Sequence, residues 1–135
     1  MLLQYSTTLR TNQVAQISAT VGTGGTVKLY AGAIPANAAA VAGTEIASGP
    51  LPNPFMSSAN GSTALAGTWT LTGEAAAGTG TVATYFRMLD SGGICHMQGD
   101  VGASGSGAAL IVTNTNIANG QTESITSFTI TAGNP

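Results

Sequence analysis

Charge is what this chain most conspicuously lacks. Three Lys and Arg side chains and five Asp and Glu make up 6% of its 135 residues, for a net charge of −2, where an ordinary globular domain is roughly a quarter charged. A protein that neutralises even about six phosphates of duplex DNA needs about as many cations, so nucleic-acid binding is excluded. Long apolar runs are missing too: none approaches the roughly 18 residues of a membrane span, and no membrane partner is expected. The opening Met1, Leu2 and Leu3 carry no basic region of the kind that starts a signal peptide, so the chain reads as soluble and not exported by the general secretory route. Cys95 is the single cysteine, and no internal disulfide can form. The length suits one domain with one real core.

Chemistry-bearing residues are equally scarce. His96 is the only histidine and adjoins Cys95. On a strand the two side chains point to opposite faces, so they cannot act as a nucleophile and its base, nor as two arms of a zinc site. The expected arrangement is a half-buried thiol beside an exposed imidazole. Glu45, Glu74, Asp90, Asp100 and Glu123 are scattered and read mostly as turn residues, although distant carboxylates such as Glu45 and Glu123 are what a glycosidase would have to bring together across a cleft. Glycine clusters at 22–25, 78–80 and 102–107 lack the Lys-Ser/Thr pair of a phosphate-binding loop and read as turns. Asn60-Gly61 is a turn signal as well. No catalytic residue, metal or cofactor is expected.

What is present is a succession of short strands. Residues 9–21 are ambiguous: Arg10, Val14, Ile17 and Val21 share one helical face, while Ala15, Ile17, Ala19 and Val21 alternate as in a strand. A helix there would be capped by Thr7 or Thr8. Residues 26–31 form a strand. Residues 34–54 hold four of the five prolines and an alanine run, which suggests an excursion with one helical turn and one short strand, and the Pro-rich segment 50–56 cannot be a central strand. Leu65, Gly67, Trp69 and Leu71 alternate with Ala66, Thr68, Thr70 and Thr72 in the clearest strand pattern of the chain. Residues 79–89 and 94–101 form a hairpin through Asp90-Ser91-Gly92-Gly93. Strands over 108–113 and 122–132 close the chain. The expected fold is mainly β, an antiparallel sandwich or jelly-roll-like barrel with a short N-terminal helix. One domain spans residues 1–135: an extended arm over 1–8, the helix over 9–21 and the β domain over 26–132.

Four stretches, LRTNQVAQISATVGTGGTVKLYAGAIPANAAAVAGTEIA, TVATYFRMLDSGG, MQGDVG and SITSFTIT, occur in an order that resembles small tailed-bacteriophage proteins encoded beside the major capsid protein, the capsid decoration or cement proteins. The most specific pieces are Leu29-Tyr30-Ala31-Gly32 with Pro35-Ala36-Asn37, and Tyr85-Phe86-Arg87 with residues 98–102. The resemblance implies a β-rich structural subunit on the outer capsid surface of the virion, assembled in the bacterial host cytoplasm. It also implies homotrimers that clamp and stabilise major capsid protein subunits, and it favours the helix over 9–21. Ala38, Ala39 and Ala40 stand where acidic residues are common in that family, which puts charge-based docking through this loop in doubt.

With so little charge, the exterior must be built largely from Thr, Ser, Asn, Gly and Ala. Two apolar stretches are candidate interface surfaces: Leu2, Leu3, Tyr5 and Leu9 at the N-terminus, a segment that either adds as a strand to a neighbour or covers the end of the sandwich, and Leu51, Phe55 and Met56 in the Pro-rich loop, of which Phe55 reads rather as an anchor folded back onto its loop. Arg87 is a candidate for a bidentate contact to a carboxylate across a subunit interface, and Lys28 reads as a solvated cation on a strand face. Two other classes stay open: a phage fibre tip or head-attached carbohydrate-binding module, which needs an aromatic-lined groove, and a polysaccharide depolymerase.

Overall fold

The computed structural model describes residues 2–134. Met1, the start of the expected arm, lies outside them. The helix α1 (Thr7–Val21) begins two residues earlier than the sequence suggests, because Ser6, not Thr7 or Thr8, caps it: Ser6 is extended and its Oγ accepts the Leu9 N–H at 3.1 Å. Gly22 at φ +69° ends it, its N–H donating to Ser18 O. The extended arm is correspondingly shorter than expected. Val14 and Val21 are buried with Ile17 packed beside them, so the helical face that contains them is the one that turns inward.

The strands follow in order: β1 (Thr26–Ala31), β2 (Thr44–Pro50), β3 (Met56–Ala59), β4 (Ser62–Leu65), β5 (Thr70–Gly73), β6 (Thr81–Val82), β7 (Tyr85–Leu89), β8 (Cys95–Gly102), β9 (Leu110–Val112), β10 (Asn116–Ile117) and β11 (Thr122–Thr131). Seven of them, β11, β5, β2, β1, β7, β8 and β9, pair in that order and close on themselves through a β9–β11 contact. Strand direction cannot alternate all the way round an odd-numbered ring, so a seven-stranded barrel needs a parallel pair. Here it is β8–β9, which extends over two residue pairs only, Val101 with Leu110 and Gly102 with Ile111. The seven residues between them are too few for a full crossover. The hairpin β3–β4 continues the sheet from β11. It turns on Asn60 and Gly61, both at positive φ, the two-residue geometry that matches strand twist.

The barrel encloses Val27, Leu29, Ile46, Leu71, Phe86, Met88, Leu110 and Val112. Phe55, Trp69, Phe128 and Phe86 form a chain of rings with successive centroids 5.9, 5.7 and 5.5 Å apart, tilted as the aromatic quadrupole prefers. Two sequence expectations are corrected here. The excursion over 34–54 contains a seven-residue strand at the centre of the sheet, β2, between β1 and β5. Its Ala47, Ser48 and Gly49 carry no β-branched signal, and it pairs because Gly49 admits the β5 backbone closely. The clear alternation over 65–72 is not one strand: Gly67 at φ +68° bends the chain between β4 and β5. The bend brings the Trp69 indole inward, where Nε1 donates to Phe55 O and Ala66 O, both at 3.1 Å.

Helix α1 lies against the β3–β4 hairpin. Arg10 donates to Ala132 O from Nε at 2.9 Å and Nη2 at 2.7 Å, and Thr11 Oγ1 accepts the Gly61 N–H at 2.8 Å. These bonds tie the first turn of the helix to the hairpin and to the end of β11.

Candidate functional site

The sequence candidates separate into two groups. Leu2, Leu3 and Leu9 are exposed, at 87%, 41% and 45%, while Tyr5 is half-buried and donates its N–H to Asn134 Oδ1 at 2.8 Å. They form an apolar lead into α1. Leu51, Phe55 and Met56 do not form the second exposed stretch expected of them: all three are buried in the core. The Pro-rich loop turns its large side chains under α1 and against Trp69, since nothing else fills that end of the barrel. Exposed apolar side chains that the sequence reading missed are Ile34, Val41, Val82 and Ile94. For Ile34, Val41 and Ile94 the available signal is a position in a loop, outside any strand; Val82 lies in the short strand β6, paired with β10.

Arg87 is the main surprise. A cation flanked by Phe86 and Met88 is a candidate for an interface contact, and the residue is 6% exposed. Alternation explains its direction: Phe86 and Met88 point into the barrel, so Tyr85 and Arg87 stand on the outer face. That face is covered by the loop of residues 32–43. Tyr30 stacks on Tyr85 at 5.0 Å and 12°, and Tyr85 Oη accepts the Gly43 N–H at 2.7 Å. Arg87 Nη2 donates to Ala40 O at 2.7 Å and Asn37 O at 3.3 Å, and both Nε and Nη2 reach Gln98 Oε1, at 3.2 and 3.0 Å. Gln98 Nε2 in turn donates to Pro35 O at 2.7 Å. The guanidinium thus pins the loop to β7 and β8. Burial, and then the negative charge of Glu45, pushes the Tyr30 phenol up to about 12.

Next to this pinned loop is an open cavity of about 500 Å³ lined by residues 38–40, Arg87, Leu89, Gly93, Ile94 and Cys95. Lys28 is not a free cation: Nζ meets Glu45 Oε2 at 2.9 Å, both side chains about a third exposed. Cys95 is half-buried, its Sγ 3.3 Å from Met97 O, whereas His96 pairs with Asp90. Among the described residues no three His, Cys, Asp or Glu side chains gather as a metal site, and no helix is long and apolar enough to cross a membrane. Glu123 is not a turn residue but is buried on β11, accepting from Thr113 Oγ1, from Asn114 N–H at 2.7 Å and from Gln121. Glu45 is on the outer face with Lys28, so these two acids are placed differently. Every aromatic side chain of Phe, Tyr and Trp except Tyr5 is buried.

Asp90 is a turn residue, as expected. Oδ1 accepts the N–H groups of Gly92 and Ile94, both at 2.9 Å, and Oδ2 meets His96 Nε2 at 2.9 Å. The bond to His96, followed by the Ile94 amide, holds its carboxyl below the ordinary value of 3.8. A depressed carboxylate contributes its stabilisation in full above the unfolded value and loses it as pH falls through the folded one. Acid titration of the Gly92 and Ile94 amide shifts is therefore expected to show a midpoint below 3.8, and Asp90→Asn to remove that transition. A midpoint at or above 3.8 contradicts the assignment. No family model, curated protein or solved structure matches the chain.

Proposed function

We propose that this chain is a structural protein of a tailed-phage virion that binds the outer capsid surface, as a homotrimer, and stabilises the mature head by bridging major capsid protein subunits. The observation that carries this reading is the ordered resemblance of four stretches from Leu9 to Thr131 to capsid decoration proteins. Two features of the molecule support it. The lead Leu2, Leu3 and Leu9 is exposed and apolar, and residues 2–4 lie outside any helix or strand, the kind of segment that strand addition uses. The near absence of charge also suits permanent packing more than life as a free monomer, since low net charge gives little protection against association.

The test is reconstitution. Heads of the encoding phage, assembled without this protein, are mixed with it at micromolar concentration, and particle-bound protein and head melting are measured. Saturable binding with a higher melting temperature is expected, and no binding refutes the reading. Attachment through packing and main-chain hydrogen bonds should also survive a wash at about 1 M salt, where the screening length falls to about 3 Å. Release in that wash would show that charge holds the protein on.

A further inference from the structure

The outer face of β1, β7 and β8 carries the charges of Lys28, Arg87 and Asp100, and of these Arg87 alone is buried. Lys28 stands directly across from Arg87, and Arg87 across from Gln98, an arrangement of like charges that is unfavourable unless something offsets it. Glu45 offsets Lys28. Arg87 has no such partner: no carboxylate of the described residues lies within 4.0 Å of it, and its acceptors are two main-chain carbonyls and the neutral Gln98 amide. A guanidinium is permanently charged, and burying an ion without a counter-ion is costly. Only Nε and Nη2 make these bonds. Nη1 makes none among the described residues, and no buried side-chain nitrogen is left without a partner, so Nη1 is accessible on the cavity that Arg87 lines. Of the other lining residues Ala38, Ala39, Ala40, Leu89 and Ile94 are apolar, and Gly93 and Cys95 complete the wall.

We propose that this cavity is a binding site for a carboxylate carried on a short apolar stem, with the carboxylate on Arg87 Nη1 and the stem along the alanines and Ile94. A cation at the base of a small apolar pocket fits that chemistry, because it supplies one strong, directional contact and an otherwise desolvating wall. The stem belongs either to a free monocarboxylate or to a Glu side chain of another protein. The site does not depend on the capsid reading.

Titration of the isotope-labelled protein, followed by backbone amide shifts, tests this with three probes: hexanoate, the neutral hexanamide and an acetylated, amidated Ala-Glu-Ala peptide. Saturating shifts confined to residues 38–40, 87–89 and 93–95 are expected with hexanoate, the peptide or both, at least about tenfold tighter than with hexanamide, equivalent to about 1.4 kcal/mol. Preference for hexanoate identifies a free acid as the source, and preference for the peptide a protein side chain. Arg87→Gln should abolish the shifts. Because Arg87 also pins the loop, Ala39→Trp provides the second arm: it leaves Arg87 and its hydrogen bonds in place and fills the cavity, and it too should abolish binding. No saturation with either carboxylate, equal affinity for hexanamide, or full binding by Ala39→Trp would overturn the proposal.

Discussion

Replacing Trp69 by alanine is expected to lower stability by about 3–5 kcal/mol, a large part of the roughly 5–15 kcal/mol that holds a single domain together. The side chain is fully buried against the rings of Phe55 and Phe128, and Phe128 carries the chain on to Phe86. It also braces the end of the β3–β4 ladder, where Ala66 N–H donates to Phe55 O at 2.8 Å, since Nε1 donates to both Phe55 O and Ala66 O. Truncation leaves a cavity and strips a donor from both carbonyls. Thermal denaturation followed by circular dichroism should show a fall in melting temperature of about 10–20 °C for a domain of this size. Trp69→Phe, which keeps a six-membered ring but loses the indole N–H and the rest of the bicycle, should cost less than the alanine change, about 1–3 kcal/mol. A Trp69→Ala protein within about 1 kcal/mol of the parent would mean that the ring chain does not organise the core.

Gly49→Ala is expected to be nearly as severe, at least about 3 kcal/mol, for the opposite reason. A Cβ at position 49 would lie on Thr70 O, well inside van der Waals separation, and 3.0 Å from Leu71 Cα. The obstacle is backbone of the adjoining strand β5, so no side-chain rotation relieves it, and the β2–β5 seam has to open. Overpacking of this kind usually costs about 1–3 kcal/mol where neighbours can yield, and here they cannot. Gly133→Ala is the control: nothing lies within 4 Å of its Cβ position, and a change of no more than about 0.5 kcal/mol is expected in urea unfolding. Equal midpoints for the two variants would place the close approach elsewhere.

These two residues also show where reading the chain by periodicity succeeds and fails. Alternation places Trp69 on an apolar face, because it reports which side of the backbone is wet. It does not show where the strand breaks, because Gly67 in its bent conformation interrupts the pairing without interrupting the alternation. Gly49 carried no signal at all. A glycine required by close approach is indistinguishable in sequence from one that merely permits a turn, and β2 was therefore underestimated. The hairpin β7–β8 was legible because Asp90-Ser91-Gly92-Gly93 encodes its own turn, with the Asp90 carboxylate accepting the amides of Gly92 and Ile94. Closure of the barrel was not, since β9 meets β11 through pairs such as Leu110 with Phe128, chosen by packing and not by a local turn.

The surface candidates divide on the same ground. Leu2, Leu3 and Leu9 remain exposed, as a short apolar segment does when no tertiary partner reaches it. Phe55 folds back as an anchor of its loop, a reading its sequence position already allows, and Leu51 and Met56 are core residues as well, because a loop rich in proline constrains its backbone and not the direction in which its side chains find partners.

By itself the sequence determined the β-rich class, the positions of the main turns and a surface nearly without charge, because these depend on residue types and on spacing between near neighbours. Only the tertiary structure decided that α1 packs on the β3–β4 hairpin, with Arg10 docked on Ala132 O, and that the strands form a closed ring with one parallel pair. It alone also placed Arg87 beneath the 32–43 loop. Those outcomes rest on contacts between residues dozens of positions apart, whose energy depends on shape and burial that no local pattern encodes.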